Sequence, residues 1–105
     1  MAQLIIVYWR DIPAQVIVKA GRKNAKVQLS ERFEKAIDRA AMRAKMSGSD
    51  AYLEQWRRGA PQDCGDDLDA EAKSVAERLE ADYDDARLRD LVAAGGEERL
   101  EDTAS

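Results

Sequence analysis

Residues 7–18 read VYWRDIPAQVIV, two apolar runs separated by Arg10, Asp11 and a proline. This stretch decides the fold, because the runs on either side are short and β-branched and the residues between them favour a turn. Residues 3–9 (QLIIVYW) and 14–19 (AQVIVK) are therefore predicted as two antiparallel strands. Pro13 has no N–H to donate and belongs in the loop or at a strand start. Pairing apolar with apolar sets Trp9 opposite Ala14, Val7 opposite Val16, Ile6 opposite Ile17 and Ile5 opposite Val18. Side chains alternate along a strand, so this register predicts a core face of Ile5, Val7, Trp9, Ala14, Val16 and Val18. A second face then carries Leu4, Ile6, Tyr8, Gln15, Ile17 and Lys19.

Beyond the hairpin, residues 20–26 (AGRKNAK) read as a basic connection, and Val27–Leu29 as a short third strand or a lead into a helix. Ser30 is placed to cap ERFEKAIDRAAMRAKM, in which Phe33, Ile37, Ala40, Ala41 and Ala44 recur at helical spacing. Lys45 and Gly48 form its stop signal. A short second helix is predicted from Ser49 or Asp50 through Tyr52, Leu53 and Trp56, ending at Arg57, Arg58, Gly59 and Pro61. APQDCGDD reads as a loop. From Asp67 one long acidic helix is predicted, with Leu68, Ala72, Val75, Leu79, Tyr83 and Ala86 on one side, until Gly95-Gly96 stops it. The expectation is an α+β domain over residues 1–94, an antiparallel hairpin packed on two helices with the long helix alongside, and a flexible acidic tail over 95–105.

A chain of 105 residues buries only about 60–65% of its unfolded surface, which leaves room for one small core. The absence of His and the single Cys64 remove an internal disulfide and the usual zinc and cluster ligand sets, so no metal or cofactor is assigned. The longest apolar run, Leu4–Trp9, is far short of the roughly 20 residues that span a bilayer, and the first residues carry no basic secretion signal. A cytoplasmic protein is the expectation. Charge is partitioned: residues 1–60 hold 12 Lys/Arg against 6 Asp/Glu, and residues 61–105 hold 5 against 15. The acidic third helix is expected to lie against the basic first one.

Tyr8, Trp9, Arg10 and Asp11 could cradle a small planar or anionic ligand, an aromatic platform beside a guanidinium. Their structural alternative is simpler. Trp9 fills the core, Asp11 bonds the turn backbone and Arg10 is surface. Trp9-Arg10 and Trp56-Arg57-Arg58 also admit nucleic acid, with Arg22, Lys23 and Lys26 on phosphates, although cations at a helix C-terminus are favourable in any case. The acidic series Asp63, Asp66, Asp67, Asp69 and Glu71 lacks the spacing of a calcium loop and suits a helix N-terminus. Cys64 has acidic neighbours and no cation to stabilise a thiolate. No catalytic residue is assigned, since the chain has no His, no phosphate-binding glycine loop and no nucleophile elbow.

VYWRDIPAQV (7–16), FEKAIDRAAM (33–42) and YLEQWRRG (52–59) resemble the short bacterial proteins grouped as the virulence-factor domain, common in alphaproteobacteria. The likeness extends over about residues 2–94. Related domains are fused to scaffold-like and helical-repeat modules in a virulence regulator of Gram-positive bacteria, and stand-alone members lie near genes for folate and corrinoid methyl transfer. The resemblance implies an accessory role and supplies no catalytic residues. The leading expectation is a non-catalytic protein that docks on a protein partner, or on a second copy of itself. Leu4, Ile6 and Ile17 would form the docking face beside a basic surface of Arg39, Arg43, Arg57 and Arg58. A small-ligand or enzyme module at Tyr8, Trp9, Arg10 and Asp11 is the alternative, and nucleic-acid binding the third.

Overall fold

The computed structural model describes residues 2–46 and 50–97. They form an antiparallel sheet of five strands and four helices. The strands β1 (Ala2–Trp9), β2 (Ile12–Ala20) and β3 (Lys23–Gln28) run as a meander. Then follow α1 (Glu31–Arg43), α2 (Asp50–Glu54), β4 (Trp56–Arg58), β5 (Gln62–Cys64), α3 (Leu68–Asp82) and α4 (Asp85–Ala93). β3 and β2 lie on one side of β1, and the two short strands β4 and β5 share its other edge.

The hairpin forms as expected, but its register is displaced by one residue. Leu4 faces Val18, Ile5 faces Ile17 and Ile6 faces Val16; past Val7 a bulge leaves Ala14 without a partner, and Trp9 meets Ile12. The cause is a turn tighter than the sequence suggested. Only Arg10 and Asp11 connect the strands, and Arg10 takes a positive φ of 55°, the geometry that primed hairpin turns require. The β2–β3 register extends these rows to Leu4–Val18–Ala25 and Ile6–Val16–Val27, which face the helices. The alternate rows, Gln3–Lys19–Asn24 and Ile5–Ile17–Lys26, point the opposite way. The predicted faces are therefore exchanged in the middle of β1. Leu4 and Ile6 turn toward the helices and Ile5 turns outward, while Ile17 keeps its expected side.

Ile5 and Ile17 are 5% and 7% exposed yet lie outside the helix-packed apolar cluster. Their rows are bordered by Gln3, Lys19 and Lys26, whose stems are long enough to shelter them. Trp9 is completely buried, as predicted. Its indole Nε1 donates to the Tyr52 carbonyl at 2.9 Å, its ring lies 5.6 Å from that of Tyr52, and Gly96 closes over its edge.

Further expectations are corrected. The third strand spans Lys23–Gln28, not Val27–Leu29, with lysines on the sheet's free edge, where they discourage pairing with other strands. The second helix stops at Glu54, and Trp56–Arg58 and Gln62–Cys64, read as helix and loop, are both strands on β1. The long acidic helix is two helices. Asp84 breaks it by capping α4, its Oδ1 accepting from the Arg87 N–H at 2.8 Å, as Asp67 caps α3. Ser30 occupies the N-cap of α1, but its hydroxyl donates to Glu80 of α3 at 2.8 Å rather than capping the helix. Gly48 and residues 98–105 lie outside the described residues. Gly95 and Gly96, assigned to the tail on sequence, are buried against Trp9 and Arg10.

The basic front and acidic back meet at the start of α1, and Arg10 also lies 3.9 Å from Glu97. Arg32 of α1 bridges Glu80 at 3.2 Å and Asp85 at 3.3 Å. Among the described residues no helix is long and apolar enough to cross a membrane.

Candidate functional site

A cleft of about 300 Å³ opens where β1 leaves the shelter of the helices and the β4–β5 arm crosses its edge. Leu4 and Ile6 form its floor, Tyr8, Asp11 and Arg57 one wall, and Gln62 and Tyr83 the other. The strand period explains the first wall, since Leu4, Ile6 and Tyr8 alternate onto one side of β1. Arg57 reaches the same side because β4 pairs Arg57 with Tyr8.

Arg57 is held from three directions. Its Nη2 donates to Asp11 Oδ1 at 3.0 Å, its Nε donates to the Arg10 carbonyl at 2.9 Å, and its guanidinium carbon lies 4.6 Å from the centre of the Tyr8 ring. A clamped guanidinium loses little further entropy when it binds something. Across the cleft the Tyr83 ring lies under Arg87 at 4.0 Å and edge-on to Phe33 at 6.1 Å, which fixes its plane. The cleft thus combines donors on Arg57 and Gln62, the Asp11 acceptor, aromatic surfaces and an apolar floor. Such a lining offers hydrogen-bond donors, an acceptor and aromatic faces within one recess.

The four residues singled out at the bend part company. Tyr8 and Asp11 reach the cleft; Trp9 is core. Arg10, read as surface, has a side chain only 14% exposed and ties three segments together. Its Nε donates to Gln55 Oε1 at 3.2 Å, its Nη1 to the Gly95 carbonyl at 3.0 Å, and its Nη2 to Met46 Sδ at 3.3 Å. Of the residues assigned to docking, Leu4 is buried and Ile6 half-buried in the cleft floor, whereas Ile17 lies on the outer sheet face. Arg39 and Arg58 are exposed, and Arg43 donates to the Ala93 carbonyl at 3.2 Å. Gln62 and Tyr83 were not anticipated. They meet Tyr8 only through the strand pairing of the β5 arm and the break between α3 and α4, which no local pattern announces.

Burial and the charges of Glu71, Asp63 and Asp66 push the Cys64 thiol up, away from thiolate chemistry. Among the described residues no group of three His, Cys, Asp or Glu side chains is placed to hold a metal ion.

Sheet, helices and cleft define a small α+β domain with a polar recess at one sheet edge. The chain belongs to the family described as Virulence factor, whose model matches residues 7–92. No curated protein and no solved structure matches the chain significantly.

Proposed function

We propose that this is a non-catalytic accessory module that works by binding, and that the cleft at Tyr8, Asp11, Arg57 and Tyr83 is its recognition site. The observation that carries this reading is Arg57, fixed by Asp11 and the Arg10 carbonyl over the Tyr8 ring at the mouth of a ligand-sized cavity. A bound planar group would lie against the tyrosines and accept a hydrogen bond from the guanidinium. The folate and corrinoid setting implied by the family resemblance, and the cytoplasmic location expected with it, supply the first compounds to try.

Thermal shift with folates, nucleotides and corrinoids tests the proposal. One of these classes raises Tm in the native chain, following RT ln(1 + [L]/Kd), and the shift disappears in Arg57→Ala. The Asp11–Arg57 pair is half exposed, so its loss costs the fold at most about 1 kcal/mol and the variant stays folded. No shift with any class, or an equal shift in Arg57→Ala, would sink the reading.

A second reading keeps docking on a protein partner or a second copy but moves it to the outer sheet face. The supporting observation is the cationic character of that face, where Lys19, Lys26 and Arg58 are exposed around the buried Ile5–Ile17 pair. It predicts that Lys26→Glu weakens capture of an acidic partner without altering Tm, as measured by pull-down from lysate. Nucleic-acid binding has weaker support, because Arg10, Arg32 and Arg57 are engaged within the chain.

A further inference from the structure

A second cavity, of about 250 Å³, lies on the other side of β4 and shares no lining residue with the cleft. Its base is apolar, made by Ala14, Leu29 and Ile37. Tyr52 and Trp56 form an aromatic wall, their rings nearly perpendicular with centres 6.1 Å apart. Glu34 and Asp38, one turn apart on α1, stand at its rim. The strand period of β4 produces this arrangement: Arg57 points into the cleft, and its neighbour Trp56 points the opposite way into the second cavity.

The electrostatics of the cavity are one-sided. Like charges four residues apart on a helix repel, and no ion pair joins either carboxylate to another described residue. Their field reaches the wall. Burial raises the Tyr52 phenol above its ordinary range, Asp38 and Glu34 raise it further, and the hydrogen bond with Trp56 only partly offsets them. Aromatic faces add a second attraction for positive charge. An anion is repelled here, and a bare metal ion would have to shed water onto an apolar base. Trp56, 36% exposed, leaves the entrance open.

We propose that this cavity binds an organic cation with an apolar body, an alkylated ammonium being the simplest, seated on Ala14, Leu29 and Ile37 with its charge between the aromatic pair and Glu34 and Asp38. The assignment is independent of the cleft and of whatever occupies it.

Choline is the probe, with dimethylbutanol, its uncharged carbon isostere, and sodium chloride at equal ionic strength as comparators. The readout is the indole N–H resonance of Trp56 in the full ¹⁵N-labelled chain, with the backbone amide of Gly21, at the far end of the β2–β3 hairpin, as internal reference. Choline is expected to move the Trp56 signal saturably while the two comparators do not, and to leave the Gly21 signal in place. The exposed double variant Glu34→Gln, Asp38→Asn, shown to be folded by its spectrum, should bind choline about five- to tenfold more weakly. Equal shifts with dimethylbutanol would reveal an apolar pocket without charge preference and overturn the proposal. So would a shift reproduced by sodium chloride, undiminished binding in the double variant, or no saturable shift in the native chain.

Discussion

At the residue scale the bend at Arg10 explains why a chain would set its bulkiest aromatic beside a cation and an anion. A non-glycine residue at positive φ costs about 1–3 kcal/mol and survives only where its surroundings hold it. Here the backbone N–H of Arg10 donates to the Gln55 carbonyl at 3.1 Å, and its side chain reaches Gln55, Gly95 and Met46. The N–H of Asp11 donates to the Gly96 carbonyl at 2.8 Å, so the turn is bonded to the end of the last helix. Gly96 has φ 95°, and a Cβ there would stand 2.7 Å from Trp9 Cζ3. Gly21 also has positive φ but open space around it. Gly96→Ala is therefore expected to destabilise by about 2–5 kcal/mol, conformational strain plus displacement of a buried ring, and Gly21→Ala by only about 1–2. Urea denaturation of the two variants checks this; equal losses would mean that the indole is not confined by the C-terminal turn.

At the scale of elements, the strand period makes adjacent residues of β2 behave oppositely. Val18 is completely buried under the helices, and a lysine there has no route to water, so Val18→Lys is expected to cost more than about 3 kcal/mol. Ile17 faces outward beside Lys19 and Lys26, where a lysine can extend its ammonium into solvent, and Ile17→Lys should cost about 1–2 kcal/mol of lost burial. Denaturation midpoints measure the contrast, and equal losses would mean that the outer face of β2 gives a lysine no route to water; the displaced register leaves these two sides as expected and exchanges only those of β1. The reason the expected register misled is physical. Ile5, Ile6, Ile17 and Val18 are all apolar, so composition alone cannot say which face is in, and the deciding information lies in the two-residue turn and the bulge at Ala14. Helix α1 was legible because its polar and apolar positions separate cleanly. The break at Asp84 was not, since apolar positions keep their helical spacing across it, and a capping aspartate looks like any acidic surface residue. β4 and β5, three residues each, are too short to carry a period and exist because β1 offers an unpaired edge. The same dependence hid half of the cleft: Tyr8 and Asp11 could be read from the bend, whereas Gln62 and Tyr83 arrive by tertiary pairing.

At the scale of the whole molecule, the basic first half and acidic second half meet through Glu80. This α3 carboxylate accepts from the Ser30 N–H at 2.7 Å, from the Ser30 hydroxyl at 2.8 Å and from Arg32 at 3.2 Å, tying the start of α1 to the last turns of α3. Partial burial by itself would raise its pKa. The two Ser30 bonds and the Arg32 charge outweigh that and hold it below the ordinary carboxylate range. The unfolded chain, with a glutamate pKa of about 4.3, then takes up the proton before the folded chain does. The contribution of Glu80 is therefore complete above about pH 4.3 and is lost as pH falls through its lowered folded value. Glu80→Gln keeps the shape, loses the charge, and is expected to cost about 1–2 kcal/mol at neutral pH, a charged hydrogen-bond figure discounted for a side chain one-third exposed. The variant should also lose part of the acid sensitivity of the native chain, so that the two stability curves converge as pH drops below about 4. Urea titrations from pH 7 to pH 3 provide the comparison; parallel curves would show that Glu80 is not what joins the halves. Part of the charge partition of the sequence is thus met within the chain itself. Because α3 also buries Ala72, Val75, Ala76 and Leu79 over the sheet, removing the acidic half would expose the core along with the basic surface, and only the single-residue variant separates the two effects.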